Sequence, residues 1–223
     1  MKKYMAAAIA ALMLSAGTVF AAEPADNTGE SAINTFGDTL KVQHFGVQYM
    51  MVTANSDKAT KAINDDLAEL GRRFTAKIGN QELSGGSLIF QGLHKTNRYL
   101  SMAVMDSWYN TGAAHGMYQV YGRVYDLYTG ERKKVSDFVK IDVKTLDAML
   151  RSGELQIMTI NKTPLEMPYG ADELWDVKDI PENFAVTEDG TVLLIYQVYE
   201  LGPYAVGCTY IPIAPDIVAR LNK

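Results

Sequence analysis

The chain has 223 residues and a formal net charge of −5, and 48% of its residues are hydrophobic. This length fits one globular domain, or two small ones that share a core, with ample apolar material for burial. The acidic balance, without a stripe rich in lysine or arginine, argues against binding to a nucleic-acid backbone and is compatible with a basic protein partner. The single cysteine, Cys208, excludes an intrachain disulfide and is predicted to be a buried, inert thiol.

The first residues have the pattern of an export signal. Lys2 and Lys3 precede an apolar run, and Val19 and Ala21 are the small residues that a signal peptidase inspects. The run is shorter than the roughly 20 residues that span a bilayer, and the chain turns polar directly after it. The sequence therefore predicts a signal peptide over residues 1–21 and an exported mature protein, periplasmic or secreted, without a membrane span after cleavage. Removal of the two lysines would move the formal charge from −5 to −7.

The next part of the chain contains a leader, a strand and a helix. Small and polar residues dominate positions 22–39, which predicts a flexible leader. Alternating side chains over 45–51 predict a strand. Ser56 then offers a helix N-cap, and apolar residues follow at steps of three or four on one helical face. The pattern predicts a helix that ends at Gly79, since glycine favours helix termination.

A meander of strands and a set of shorter elements are predicted after this helix. Apolar alternation over 87–93, 99–109 and 117–128, with short connections, favours three antiparallel strands. Residues 136–139 are predicted to form a helical turn, and 143–153 a short amphipathic helix. Further along the chain we expect a loop over 155–178, a hairpin over 183–199, a strand over 209–213 and a helical turn over 217–221.

The element order predicts an α+β fold, an antiparallel β-sheet meander with helices packed on one face. Residues 40–223 are expected to form one module, with an N-terminal part over 40–110 and a C-terminal part over 111–223. The hairpin is predicted from its Asp189-Gly190 turn, because glycine there supplies the positive φ that a tight turn requires. Strand 192–195 is apolar on both faces and is predicted to be central in its sheet.

Two distant loops, 110–116 and 199–207, concentrate glycine around one ionisable side chain each. Glycine is used where the backbone needs positive φ or approaches a neighbour closely, so both loops are shaped. We expect the loops to meet at one end of the sheet, with His115 close to Glu200. The candidate ligand-binding residues are Gly112, His115, Tyr199, Glu200, Pro203 and Tyr204.

Each ionisable side chain of these loops has two interpretations. His115 could act as a general base or ligand-facing donor, or it could hydrogen-bond backbone and fix its turn. Glu200 could accept backbone N–H groups or face a partner. No nucleophile lies at a telling spacing, and the three histidines are scattered without zinc-site spacing, so no metal site and no cofactor are predicted.

Tyrosines are frequent in the strands that flank both loops. They could form an aromatic platform for a glycan or a protein, because tyrosine combines apolar area with a hydroxyl. They are also ordinary strand residues, and packing in the core or half-core is the favoured interpretation. The residues concerned are Tyr118, Tyr121, Tyr125, Tyr128, Tyr196, Tyr199, Tyr204 and Tyr210.

Five segments together resemble a group of exported bacterial domains. They are Ala62-Ile63-Asn64, Thr111-Gly112-Ala113-Ala114-His115, Tyr125-Asp126-Leu127-Tyr128-Thr129-Gly130, Ser136-Asp137-Phe138 and Tyr199-Glu200-Leu201-Gly202-Pro203-Tyr204-Ala205. The chain is similar to the paired extracytoplasmic domains of unknown function in RsiV-type anti-sigma factors and PdaC-type peptidoglycan deacetylases. In the anti-sigma members this module recognises lysozyme, and in the deacetylases it accompanies a wall-modifying enzyme. We expect the chain to depart from both, since no sigma-binding segment and no deacetylase domain are recognised in this sequence. It also has an alanine at position 113, where a second glycine is more frequent.

The resemblance implies an exported, non-enzymatic binding module of the cell envelope that recognises lysozyme or peptidoglycan fragments. One alternative is a cell-wall-active hydrolase that uses His115 and Glu200 or another carboxylate. Another is an accessory subunit of a second exported protein.

Overall fold

The computed structural model describes residues 33–34, 40–42, 45–80, 82–165, 169 and 175–223. The predicted signal peptide lies outside these residues, as do most of the predicted leader and part of the predicted loop over 155–178. Within the leader, strand β1 (Ile33–Asn34) pairs antiparallel with β4 (Met51–Val52). This pairing was not predicted from the local sequence pattern.

A five-stranded sheet contains the predicted meander. Its strands, in the spatial order β2-β3-β5-β6-β7, are Leu40–Val42, Phe45–Val47, Leu83–Lys95, Tyr99–Asn110 and Met117–Asp126. The β3–β5 pair is parallel, and the other neighbours are antiparallel. The predicted strand over 45–51 is interrupted after β3. There the side chain of Gln48 accepts a hydrogen bond from Phe90 N (3.0 Å), which replaces a backbone rung.

Helix α1 (Asp57–Gly79) confirms the helix predicted from the periodic pattern. Ser56 is its N-cap, and the Ser56 hydroxyl accepts a hydrogen bond from Ala59 N at 3.2 Å. The apolar side of α1 packs on one face of the five-stranded sheet, where Ile63 and Phe74 are almost fully buried. This contact gives the N-terminal half its core.

The C-terminal half forms a four-stranded antiparallel sheet with two helices. Its strands, in the order β8-β11-β10-β9, are Met158–Thr159, Thr209–Ile213, Val192–Tyr196 and Phe184–Val186. Helices α2 (Val143–Arg151) and α3 (Pro215–Leu221) accompany single 3-10 turns over Val135–Asp137 and Tyr204–Val206. The predicted hairpin and the central position of β10 are confirmed.

The two sheets pack face to face. Leu194 and Ile211 point toward α2 and α3, whereas Ile195 and Cys208 pack against Val120 of β7. Each sheet therefore carries helices on one face and meets the other sheet on the opposite face. The predicted α+β class is confirmed. The predicted single sheet is replaced, in the described residues, by two larger sheets and the β1–β4 pair, because periodicity reveals a buried face without revealing what covers it.

Gly122 allows a close approach between the sheets. A β-carbon at this position would lie 2.2 Å from the carbonyl oxygen of Phe184, so only glycine fits between β7 and β9. Beside it, Val186 N donates a hydrogen bond to the Ser101 hydroxyl at 2.7 Å. These contacts fix β9 across the middle of β6 and β7.

Side chains and loops cover the outer edge of β7. The Gln197 amide forms two hydrogen bonds with the Val120 backbone, accepting from its N–H and donating to its carbonyl, both at 2.9 Å. Farther along, Lys133 N donates to the Val124 carbonyl at 2.7 Å. Within the described ranges, no helix combines the length and apolar character needed to cross a membrane.

Candidate functional site

The structure brings the two glycine-containing loops together at one end of the sheet pair. The first loop joins β6 to β7, and the second joins β10 to β11. The hydroxyl of Tyr204 in the second loop donates to the carbonyl of Gly116 in the first at 2.6 Å. The rings of His115 and Tyr204 lie 4.4 Å apart between centroids. Tyr204 thus connects the two loops through a hydrogen bond and a ring contact.

His115 and Glu200, predicted to lie close together, each bind backbone within their own loop. Nδ1 of His115 lies 3.0 Å from the Gly116 carbonyl, and the Glu200 carboxylate accepts a hydrogen bond from Gln197 N at 2.5 Å. Among the described residues no hydrogen bond or ion pair joins the two side chains. The predicted meeting of the loops therefore occurs through Tyr204 rather than through Glu200.

Glu200 is an exposed residue whose carboxylate lies against the backbone of its own loop. Burial of the carboxylate raises the pKa of Glu200, the Gln197 N–H opposes that rise, and the charge of Asp179 adds to it. This environment fits a carboxylate that shapes its own loop.

The other predicted residues lie around this contact. Tyr199 is 48% exposed, has φ = 73°, and lies with its ring 5.9 Å from that of Tyr204. A positive φ is unusual for a bulky residue and is maintained only where the surroundings impose it. Pro203 precedes the 3-10 turn that carries Tyr204, and Gly112, with φ = 82°, forms the bend of the first loop.

An open groove of about 470 Å³ runs between the two sheets next to the loops. Its lining is mainly apolar, and Tyr109 and Ile160 at its rim are 39% and 38% exposed. The aromatic and aliphatic residues that line it are Trp108, Tyr109, Tyr118, Tyr204, Met105, Met117 and Ile160. The Trp108 ring itself packs on the α1 side of the sheet, with Lys77 Nζ 4.8 Å from its centroid, so the apolar surface of the groove comes from the other residues.

The tyrosine hydroxyls around the groove are bound to backbone. Tyr109 donates to the Ala113 carbonyl at 2.9 Å, and Tyr118 accepts from Cys208 N at 3.1 Å. Together with the hydroxyl of Tyr204, these contacts hold the rings in place. The hydrogen bonds of the tyrosine hydroxyls therefore preorganise the groove walls.

The tyrosines of the predicted platform differ in burial: some lie in the core and others are exposed. Tyr125 and Tyr196 are 1% exposed and belong to the core, as the favoured interpretation expected. Tyr128 is exposed on the turn after β7. Cys208 is fully buried, and burial raises the pKa of its thiol to about 11, which suits an unreactive side chain.

Tyr109 and Trp108 were not predicted as site residues, and neither was Gln197. The alternation of β6 indicated that two faces exist, but the second sheet that turns one of them into a groove wall is distant in sequence. Within the described part of the chain, no group of three or more histidine, cysteine or acidic side chains is arranged to hold a metal ion.

Comparisons with known proteins give a family match in the C-terminal half and a fold match over most of the chain. A DUF3298 family protein from Bacteroides fragilis NCTC 9343 is 16% identical, with a TM-score of 0.57 over 88% of this chain and 95% of that one. Another, from Pseudomonas aeruginosa PAO1, is 13% identical, with a TM-score of 0.56 over 87% and 94%. No curated protein matches the chain. Residues 131–214 match the family described as "Protein of unknown function (DUF3298)", and the chain shares its fold with these two structures.

Proposed function

We propose that the protein is an exported, non-enzymatic binding module of the cell envelope, and that its ligand contacts the two loops and the adjoining groove. The observation that carries the proposal is the Tyr204 contact, which joins both loops at the mouth of an aromatic-lined groove. The resemblance of the loop motifs to RsiV-type and PdaC-type domains supports the cell-envelope assignment.

The state of the ionisable groups favours binding over catalysis. A general base needs a free ring nitrogen or carboxylate within reach of substrate, and a second group to orient it. Among the described residues, Nδ1 of His115 lies against the Gly116 carbonyl and leaves Nε2 free, whereas the Glu200 carboxylate accepts from Gln197 N. Within this part of the chain no hydrogen bond or ion pair joins the two side chains, so they do not form an acid–base pair. Fixed aromatic rings, by contrast, supply contact area at low entropic cost.

The proposed ligands are a lysozyme-like protein and peptidoglycan fragments. Ring faces accommodate either an apolar side chain or the apolar face of a sugar. The net charge of −5 favours a basic protein, because opposite charge accelerates encounter. We therefore place the lysozyme-like protein first.

The test is a titration of residues 22–223 with lysozyme and, separately, with soluble peptidoglycan fragments, while residual muramidase activity is followed. Replacing Tyr204 by alanine is expected to weaken binding by about tenfold or more, as for buried interface aromatics. Tyr128→Ala, which removes a tyrosine that is 61% exposed on another turn, is the matched control. Equal affinity of wild type and Tyr204→Ala for every ligand would remove the loop from the proposal.

The same assays separate the alternatives. Release of sugar or peptide products that Glu200→Gln abolishes would establish the hydrolase instead. Co-purification with another exported protein, without binding of lysozyme or fragments, would establish the accessory subunit.

A further inference from the structure

A second cavity, of about 510 Å³, lies away from the loops, between the segment 132–141 and the segment 180–182. The first segment contains the 3-10 turn Val135–Asp137, and the second leads toward β9. Cavities that take small ligands have volumes of a few hundred to about a thousand Å³, so this one is large enough.

The lining of this cavity is mainly positive, whereas the chain as a whole has a net negative charge. Among the described residues that line it, four are cationic and one, Glu182, is acidic, in a chain whose net charge is −5. One of the four, Lys133, is neutralised by Glu131 (3.5 Å) and Asp137 (3.4 Å). The other three, Arg132, Lys134 and Lys140, form no ion pair with any part of the chain that the structure describes.

Arg132 of the cavity wall also acts on the buried guanidinium of Arg123, which is ion-paired with Asp66 at 3.4 Å. The pKa of the Arg123 guanidinium is lowered, first by burial and then by the charge of Arg132. An anion in the cavity would relieve this repulsion and form charge-assisted hydrogen bonds, which are about twice as strong as neutral ones. The Ser136 hydroxyl, which also lines the cavity, adds an uncharged donor.

The remaining wall is apolar. Val139 and Pro181 are buried there, and Ile141 and Ile180 are half-buried. A bare inorganic anion would leave this surface without a partner, whereas an aliphatic chain would cover it.

We propose that this cavity binds an organic oxyanion, a compact phosphate-like head joined to a short aliphatic chain. Lys134 and Lys140 bind the head, and the isoleucine-lined wall packs on the chain. Such a group occurs both in soluble metabolites and in phospholipid head groups. The site is independent of the loops and groove assigned above.

The experiment is calorimetric titration of residues 22–223 with hexyl phosphate, inorganic phosphate and hexanol. Hexyl phosphate is expected to bind about tenfold or more tightly than either of the others, since it alone has both a phosphate for the cationic side chains and an alkyl chain for the apolar wall. The double variant Lys134→Gln/Lys140→Gln is expected to lose about tenfold or more in affinity for it. Lys58→Gln/Lys61→Gln on α1, which changes the net charge equally at exposed positions, serves as the control.

Two outcomes would overturn the proposal. One is the absence of saturable binding of hexyl phosphate to the wild-type protein, when thermal melting shows that it is as well folded as the double variants. The other is equal affinity of both double variants, which would mean that overall charge is responsible. Vesicles of phosphatidylglycerol distinguish the sources: displacement of bound protein by hexyl phosphate supports the lipid head group, and binding of hexyl phosphate alone supports a soluble ligand.

Discussion

At the residue scale, the conformation of the second loop requires a glycine at position 207. Gly207 has φ = 75° and ψ = −160°, a region that glycine alone occupies readily. A β-carbon there would lie 2.1 Å from the Tyr118 hydroxyl, the group that accepts the hydrogen bond of Cys208 N. The absent methyl group therefore leaves room for a contact between the sheets.

We expect Gly207→Ala to destabilise the fold by about 2 kcal/mol or more, from backbone strain together with the clash. In a Tyr118→Phe background the nearest remaining atom would be the ring carbon Cζ of residue 118, at an ordinary 3.5 Å. The cost of Gly207→Ala should then fall to the backbone part, about 1 kcal/mol. Urea denaturation of the four proteins of this double-mutant cycle measures both values. Equal costs in both backgrounds would contradict the steric argument.

Asp106 is a buried carboxyl group with little compensation. It is 5% exposed. Among the described residues its Oδ1 has no hydrogen-bond partner, and its Oδ2 receives only a long bond from the Tyr121 hydroxyl (3.4 Å). Burial raises the pKa of Asp106, while the charge of Lys77 and the Tyr121 hydroxyl oppose the rise. The ionised form therefore costs free energy in the folded state.

Replacing this carboxyl by an amide has a pH-dependent consequence. Because the folded pKa is raised, the cost of ionisation is absent below the unfolded pKa of about 3.9, grows between the unfolded and folded values, and is fully present above the folded value. Asp106→Asn should therefore be more stable than wild type at neutral pH, and the advantage should shrink toward about pH 4. Denaturation at several pH values checks this, with the exposed Asp65→Asn as control. A variant no more stable than wild type at neutral pH would refute it.

At the element scale, the Gln197 amide acts as a short piece of strand for β7. It carries both a donor and an acceptor, so it matches the N–H and carbonyl of Val120. Its sequence position at the end of β10 links the second sheet to the edge of the first. Few side chains other than glutamine and asparagine can make this double contact.

Gln197→Glu retains the shape of the side chain but loses the donor, and it places a carboxylate against the Val120 carbonyl. We expect a loss of about 2 kcal/mol or more, because a buried acceptor is left unsatisfied next to a charge. Gln197→Ala should cost less, since it introduces no charge. Hydrogen exchange at the Val120 amide, measured beside global stability, tests the contact. Unchanged protection in both variants would show that the amide pairing is dispensable.

Elements with local causes were predictable. Helix α1 follows from its cap and its periodicity, and the β9–β10 hairpin follows from Asp189-Gly190. The break after β3 was not predictable, because it depends on Gln48 reaching Phe90 across the sheet. The site shows the same division. The loops could be identified from glycine and ionisable residues, but the choice of Tyr204 as the link depends on two segments 88 residues apart in the chain.

At the scale of the whole molecule, charge should control the encounter with a basic partner. The formal charge is −5, and −7 if the predicted signal is removed. Steering acts through solvent over a Debye length of about 10 Å at 0.1 M salt and about 3 Å at 1 M. We expect the association rate with lysozyme to fall steeply with salt, while the dissociation rate changes less. Stopped-flow kinetics at several salt concentrations would test this, and a salt-independent association rate would contradict it.

The covered edge of β7 has a consequence for how a peptide could bind. An unpaired strand edge is a template on which an extended segment can add itself as another strand, either as a partner or as an aggregating copy. On β7 the backbone groups of Val120 and Val124 are already engaged by Gln197 and Lys133. Strand addition at this edge would have to displace them, so this edge is protected against pairing with a second copy of the chain.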